Sequence, residues 1–497
     1  MSSRGRWWFV PTALVGVATL ALDPILAHGW LDLRSALLVS TLVFALLLPR
    51  AVRPLDHREL ARLLAYLAGS VALVVVFVAA GERLSIFAVA QPVARLMLAW
   101  AFVLTLLPST DQGQAIRFPT WVNVGLLATA AAAVWLTCAR AAGGIRPYIV
   151  DEVLYLLQAA HAWRPPFMQP LDPHLARFFT LQQAYVRGGY LNGQYTPGWP
   201  LMLGVFPGPI GHWVLLIGLH LALIVATYAF GRMVATRNTG LLAAALIALN
   251  GMELFYSMTF FSEVFTATLL VTAGALLIGG FRAARPRTRI GLWAAAGFFA
   301  VWSGVTRPLT GLALGAALVL FVVFLERPSP RRLMHAGVTM LAAAAIPVAY
   351  LLWYNRLTTG SPFHFGYGRA EHGFQALGFG TRGLVRYGAS GLPSIDVSTF
   401  GMHQAVVHSA RGLRQMLAVF WPASLVLPLL FLVRHVGERV QWRLVAPFAL
   451  LPAAYFFYFY AGVRFLFELL PIAMVGTAWL VVRLSHRRPA AAVAVGT

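Results

Sequence analysis

Asp151 and Glu152 stand side by side in residues 143–200, the most polar long segment of an otherwise apolar chain. Paired carboxylates near a membrane need a reason, because ionised groups beside lipid are costly unless they serve something. The apolar positions Val153, Leu154, Leu157 and Ala160 follow at helical spacing, with Tyr155, Gln158 and His161 off that stripe, and Pro165–Pro166 stop the pattern. The pair therefore opens an amphipathic helix, whose partial positive charge holds a carboxylate as the anion. An anionic carboxylate suits a general base that takes a proton from a weak nucleophile. The plainer alternative is an N-cap, with Asp151 satisfying free amides and Glu152 solvated.

Other polar residues fall in turns between apolar runs. Glu263 follows Ser262 at one turn, where it supplies either a third acid or a helix cap. Arg307 (Thr306-Arg307-Pro308) and Arg464 (Gly462-Val463-Arg464-Phe465) occupy two more. Guanidinium forks fit phosphate oxygens, while a single arginine in such a place more commonly snorkels to lipid head groups. A second polar segment, 354–414, holds Asn355, Tyr367, Arg369, further arginines at 382, 386 and 411, and His364, His372, His403 and His408. The histidines lack tight ligand spacing, so no metal site is assigned. There is no glycine-rich phosphate loop and no GxSxG elbow. Their absence points away from soluble nucleotide chemistry and towards a donor that arrives in the membrane.

The elements that must position these residues are membrane helices. Of 497 residues, 59% are hydrophobic and 11% charged, too little polar surface for a soluble domain of this length. The 38 basic residues are all arginine, fitting a GC-rich bacterial genome, and the formal charge of +22 suits anionic head groups or phosphates. The arginines are scattered over short loops rather than massed on one face, which argues against nucleic acid. Cys138 is the single cysteine, so there is neither a disulfide framework nor a thiolate cluster. Arg4 and Arg6 before an apolar run resemble a signal peptide, but spans continue behind them, favouring an uncleaved first helix.

A span needs about 20 apolar residues, and roughly fourteen candidates appear, give or take two. They are 7–27, 31–48, 61–80, 86–108, 120–140, 210–231, 239–253, 261–281, 290–305, 308–325, 333–353, 415–433, 444–460 and 465–482. The arginine clusters at 50–62, 232/237, 282–289, 327–332, 434–443 and 483–488 then share one side, the cytoplasmic one, with both termini. The long loops 141–209 and 354–414 and the turns with Glu263, Arg307 and Arg464 share the other. Residues 197–209 are apolar but too short to cross. The expected organisation is an all-α polytopic membrane protein. It has additional helices over 1–119, a catalytic core over 120–482 with two long outer loops carrying short juxtamembrane helices, and a cytoplasmic tail over 483–497.

Several motifs, taken in order, resemble a known superfamily. Asp151-Glu152-Val153-Leu154-Tyr155-Leu156-Leu157-Gln158-Ala159 opens the first loop, and Gly193-Gln194-Tyr195-Thr196-Pro197-Gly198-Trp199-Pro200 closes it. The Ser-Glu and Thr-Arg-Pro turns follow, then Asn355 with Gly360-Ser361-Pro362, and a final Gly-Val-Arg-Phe run leading to Leu-Leu-Pro. Together, over residues 120–482, they resemble the GT-C polytopic glycosyltransferases, and within these the protein mannosyltransferase and aminoarabinose transferase group. The resemblance implies an inverting transfer from a polyprenyl-phosphate-linked sugar to a hydroxyl of a glycan, lipid or protein, on the extracytoplasmic face of the bacterial inner membrane. It makes Asp151 the base, with Glu152 supporting and Glu263 near the acceptor. Arg307, Arg464 and Arg369 become donor-phosphate ligands, and Tyr155, Gln158, Tyr195, Asn355 and Tyr367 substrate contacts. No cofactor is required, because guanidinium can neutralise a monophosphate, although some relatives use a divalent metal. The chain departs from the group in having Arg464-Phe465 where Arg-Tyr is usual, in Glu468, and in its four leading spans.

Two rival readings fit the same sequence. A lipid-linked glycan ligase or polymerase would also place acids and arginines outside. A secondary transporter predicts charges or broken helices at mid-span, but Arg95 is the only clear mid-span charge and the acids lie at outer ends.

Overall fold

The computed structural model describes residues 145–487 except 148, 166, 173, 175–182, 249, 369–377, 388–392, 421–445 and 459–461, plus scattered helical positions between 125 and 139. The expected spans at 7–27, 31–48, 61–80 and 86–108, and residue Arg369, lie outside the described residues.

The first outer segment begins with α1 (Val150–His161), carrying Asp151 and Glu152 in its first turn. Glu152 reaches back to accept the Ile149 amide at 3.2 Å, satisfying one of the unpaired donors at the helix start. Beyond Pro165 the chain forms a small antiparallel sheet of β1 (Gln169–Pro170), β2 (Ala184–Arg187) and β3 (Tyr190–Gly193), with β3 central. A short helix α2 (Gly198–Val205) closes the segment; its 8 residues cannot cross a bilayer.

Helices α3 (Gly208–Val234), α4 (Arg237–Ala248), α5 (Gly251–Ser257), α6 (Glu263–Arg282), α7 (Pro286–Thr306), α8 (Pro308–Glu326) and α9 (Pro330–Thr359) make the body. Four of them, α3, α6, α8 and α9, are long and apolar enough to cross a membrane. The expected span 239–253 is instead two helices, α4 and α5, bent by 65°. Asn250 causes the break: its side chain caps the new helix by accepting the amides of Met252 and Glu253. Proline at the first turn of α7, α8 and α9 sets where each begins.

The second outer segment departs from the all-α expectation as the first does. β4 (Gly380–Tyr387) pairs with β5 (Pro393–Phe400) from Gly380↔Phe400 to Tyr387↔Pro393. In sequence Ile395 and Val397 alternate with Ser394, Asp396 and Ser398, the period-two pattern of a strand. An amphipathic helix α10 (Met402–Val419) follows, reaching into the expected span 415–433, of which residues from 421 on lie outside the described residues. The chain ends in α11 (Leu450–Phe456), a 3₁₀ segment (Val463–Leu469) and α12 (Leu470–Arg487).

Packing centres on α6, which lies against α3, α7 and α8 and touches the 3₁₀ segment. One buried apolar cluster, including Trp135, Leu154, Trp199, Phe265 and Phe467, backs the polar end; a second, including Phe230, Leu270, Trp293 and Leu318, fills the remainder. Between α7 and α8 the turn is tight because Gly311 rests directly on the Gly304 backbone, where a Cβ would collide. Within α3 and α5, His220 Nδ1 and Glu253 Oε1 lie 2.9 Å apart with both side chains fully buried.

Candidate active site

Four chain segments bring charged residues to one end of the helices. Asp151 comes from the first turn of α1, and Glu263 is the first residue of α6. Arg307 is the single residue between α7 and α8, extended at φ −139° because Pro308 disfavours a helical conformation before it. Arg464 and Glu468 lie on the 3₁₀ segment, four residues apart.

These residues alternate in sign. Arg464 Nη1 donates to Asp151 Oδ2 at 2.8 Å, while its Nε donates to Glu263 Oε1. Arg307 Nη1 meets the same Glu263 oxygen at 2.6 Å, and its Nε lies 3.1 Å from Glu468 Oε1. The order is therefore Asp151, Arg464, Glu263, Arg307, Glu468: three acids held by two guanidinium groups. Arg464 also lies over the Phe261 ring at 4.0 Å, and Arg307 over Phe465 at 5.6 Å. Burial works against the charge on each arginine. The adjoining Glu263, with Asp151 for Arg464 and Glu468 for Arg307, outweighs it and raises both pKa values well above the ordinary guanidinium range.

Asp151, Arg307 and Arg464 all face one cavity of ≈ 990 Å³, with Tyr155, Tyr195 and Tyr367 on its wall. Tyr155 and Tyr195 rings pack at 4.3 Å, Tyr195 and Tyr367 at 5.9 Å. Burial pushes all three phenols up, reinforced by the negative charge of Glu263 at Tyr155 and of Asp151 at Tyr195. Apolar residues line the cavity as well. They include Pro308, Leu309 and Leu312 of α8 and Phe363 from the loop after α9, and Leu312 is 74% and Phe363 75% exposed. Part of the lining thus belongs to a membrane-length helix.

The remaining expected site residues lie behind the wall. Glu152 is fully buried, and its Oε1 accepts the Phe260 amide at 2.8 Å. It pins the turn before α6 to α1 rather than standing beside Asp151 in the cavity; neighbours on a helix point about 100° apart. Glu263 is fully buried between the guanidinium groups and not on the cavity wall, because it starts a helix that packs on three others. Gln158 donates to Tyr195 O and Tyr354 Oη, both at 2.8 Å, fixing the end of the first loop. Asn355 donates to Pro362 O at 3.1 Å, closing the turn after α9. These three contacts are with protein, and neither side chain borders the cavity.

Several residues of the site carry little signal in the sequence. Glu468 stood out only as an acid in an apolar run; its spacing of four from Arg464 was the available signal. His364, Tyr455 and Tyr458 also line the cavity. Trp199 Nε1 donates to Phe260 O at 2.6 Å, and Tyr155 Oη bonds Ser262 Oγ at 3.3 Å, so the turn holding Phe260–Glu263 is tied from several sides. Among the described residues no group of three or more His, Cys, Asp or Glu is arranged to hold a metal ion.

No protein-family model and no curated protein matches the chain. Among solved structures it is similar to the archaeal oligosaccharyltransferase AglB from Archaeoglobus fulgidus, determined with an inhibitory peptide and a dolichol-phosphate. The two share 13% identity with a TM-score of 0.37, over 73% of this chain and 50% of that one, so this chain spans about half its length. A likeness at this level carries no weight for fold or function.

Proposed function

We propose that the chain is a polytopic membrane glycosyltransferase of the GT-C type, moving a sugar from a polyprenyl-phosphate donor to a hydroxyl acceptor at the extracytoplasmic face. The observation supporting this reading is the meeting of Asp151, Arg307 and Arg464 at one cavity that is also lined by Leu309 and the exposed Leu312 of α8. That arrangement offers a carboxylate for the acceptor, cations for a phosphate and apolar side chains for a lipid chain.

In the proposed reaction Asp151 takes the proton of the acceptor hydroxyl as its oxygen bonds to the anomeric carbon. The bond from that carbon to the phosphate oxygen breaks on the opposite face, inverting the centre, and the lipid phosphate leaves with the electron pair. Arg464 and Arg307 meet the charge that grows on the leaving oxygen. Because Arg464 already holds Asp151, an arriving phosphate competes for that guanidinium and frees the carboxylate for the hydroxyl. Glu263 keeps both arginines in place. The cavity tyrosines stay protonated and offer hydroxyls and ring faces to a sugar. The scheme assigns no step to a metal, and the acceptor is a glycan, a lipid or a protein.

The test is transfer of labelled sugar from short-chain polyprenyl phosphates in membranes carrying the wild-type chain or Asp151→Asn. Loss of transfer with an unchanged elution profile supports the reading; undiminished transfer removes Asp151 as the base.

A further inference from the structure

Helix α10 is built with three faces rather than two. Met402, Val406, Ala410 and Leu413 recur at spacings of four, four and three, within an arc of roughly 80° at 3.6 residues per turn. All four are exposed, Met402 by 59% and Leu413 by 52%. On the adjoining arc His403, Gln404, Arg411 and Arg414 are exposed as well, with Val407 among them at 40%. The third side, with Ala405 and Gly412, is buried where α10 packs on α11 and on the 3₁₀ segment that carries Arg464.

An exposed apolar stripe beside exposed arginines has two poor environments. In water the stripe is unsheltered; across a bilayer Arg411 and Arg414 would sit in hydrocarbon, where guanidinium is expensive. The boundary between them satisfies both sides at once, with the stripe in the acyl region and the arginines at phosphate level. Eighteen residues give a rod of about 27 Å, enough to present the whole stripe to one surface.

We propose that α10 is an interfacial helix that docks on the head groups of anionic phospholipids, with Arg411 and Arg414 on lipid phosphate and Met402, Val406, Ala410 and Leu413 in the acyl layer. The partner is the bilayer itself, chosen by charge complementarity and by the mismatch of either pure environment. The proposal stands independently of the glycosyltransferase reading. Since α10 packs on the Arg464 segment, the lipid surface braces that arginine from behind.

The experiment uses the full chain with Cys138→Ser in vesicles of equal parts phosphatidylcholine and phosphatidylglycerol. Nitroxide labels are placed singly at Met402→Cys, Val406→Cys, Leu413→Cys and, as a control, Gln404→Cys. The expected result is a ratio of collisions with oxygen to collisions with an aqueous nickel chelate several-fold higher at the first three positions than at the control. Equal nickel contact at all four overturns the proposal by placing the stripe in water. Shielding of the three from both reagents overturns it by placing a protein, such as a second copy, over the stripe. A second measurement needs no label on the chain. Phosphatidylglycerol with a photoactivatable head group should crosslink to residues 402–419 of the otherwise native protein, and several-fold less to the Arg411→Gln/Arg414→Gln variant. Absent or undiminished crosslinking overturns the assignment.

Discussion

Arg464 joins Asp151 at 2.8 Å across 313 positions of sequence, and in doing so it brings the 3₁₀ segment before α12 onto the first outer helix. Its second donor goes to Glu263, so a single guanidinium spans the acid that faces the cavity and the acid that does not. The function assigned to each residue follows from that asymmetry.

Asp151→Asn removes the proton acceptor while leaving an amide oxygen for Arg464 and leaving Glu263 in place. Transfer should fall by about 10²–10⁴-fold, the usual worth of a positioned base. The thermal midpoint in detergent should barely move. A large drop in midpoint with proportionate loss of activity would make Asp151 a structural partner only.

Arg307→Ala strips Glu468 of its guanidinium partner and leaves Glu263 with Arg464 alone, both acids being fully buried. Removing one partner from a buried ion pair typically costs about 3–5 kcal/mol. Denaturation should show a loss of that order, and Arg307→Lys should recover only part of it, because an ammonium cannot reach two acids in a fork geometry.

Glu468 and Glu263 differ in what they lose as amides. Both oxygens of Glu468 lack a hydrogen-bond partner among the described residues, and three acids face two guanidinium groups. Glu468→Gln leaves two of each, so its stability should stay within about 1 kcal/mol of the parent. Glu263→Gln leaves both arginines short of a counter-charge and should cost several-fold more. Equal losses in chemical denaturation would refute this division.

Alkaline pH should weaken the fold through the cavity tyrosines. Burial raises the phenol pKa values of Tyr155, Tyr195 and Tyr367 in the folded chain above the unfolded value of about 10. The folded form therefore holds protons that the unfolded form gives up. The stabilisation is intact below about pH 10 and is lost as pH rises towards the folded values. Thermal midpoints between pH 8 and 11 should fall along the upper part of that range, less steeply for Tyr155→Phe.

The helical body was legible where apolar runs are bounded by proline and arginine. The expected 210–231, 261–281, 308–325 and 333–353 correspond to α3, α6, α8 and α9 within a few residues, apart from the longer end of α9. Asn250 is a single polar residue within an apolar run, and its N-cap side chain costs the span its continuity. The strand alternation of 393–400 was hidden by the polar character of its surroundings. At the site, the residue types that gather were readable from their turns, but which of them faces the cavity was not. Glu152 and Glu263 look equivalent to Asp151 in sequence, and only the packing of α1 and α6 turns them inward.

The contact of Gly311 with Gly304 extends the argument to residues that bear no functional group. Arg307 lies between these two positions, and the Gly311 amide bonds its carbonyl at 2.8 Å. The aim of a guanidinium is thus set by a missing methyl group four residues further along the chain. A survey that ranks positions by the reactivity of their side chains would give Gly311 no rank, although one added carbon there would displace the charge on which the proposed chemistry turns.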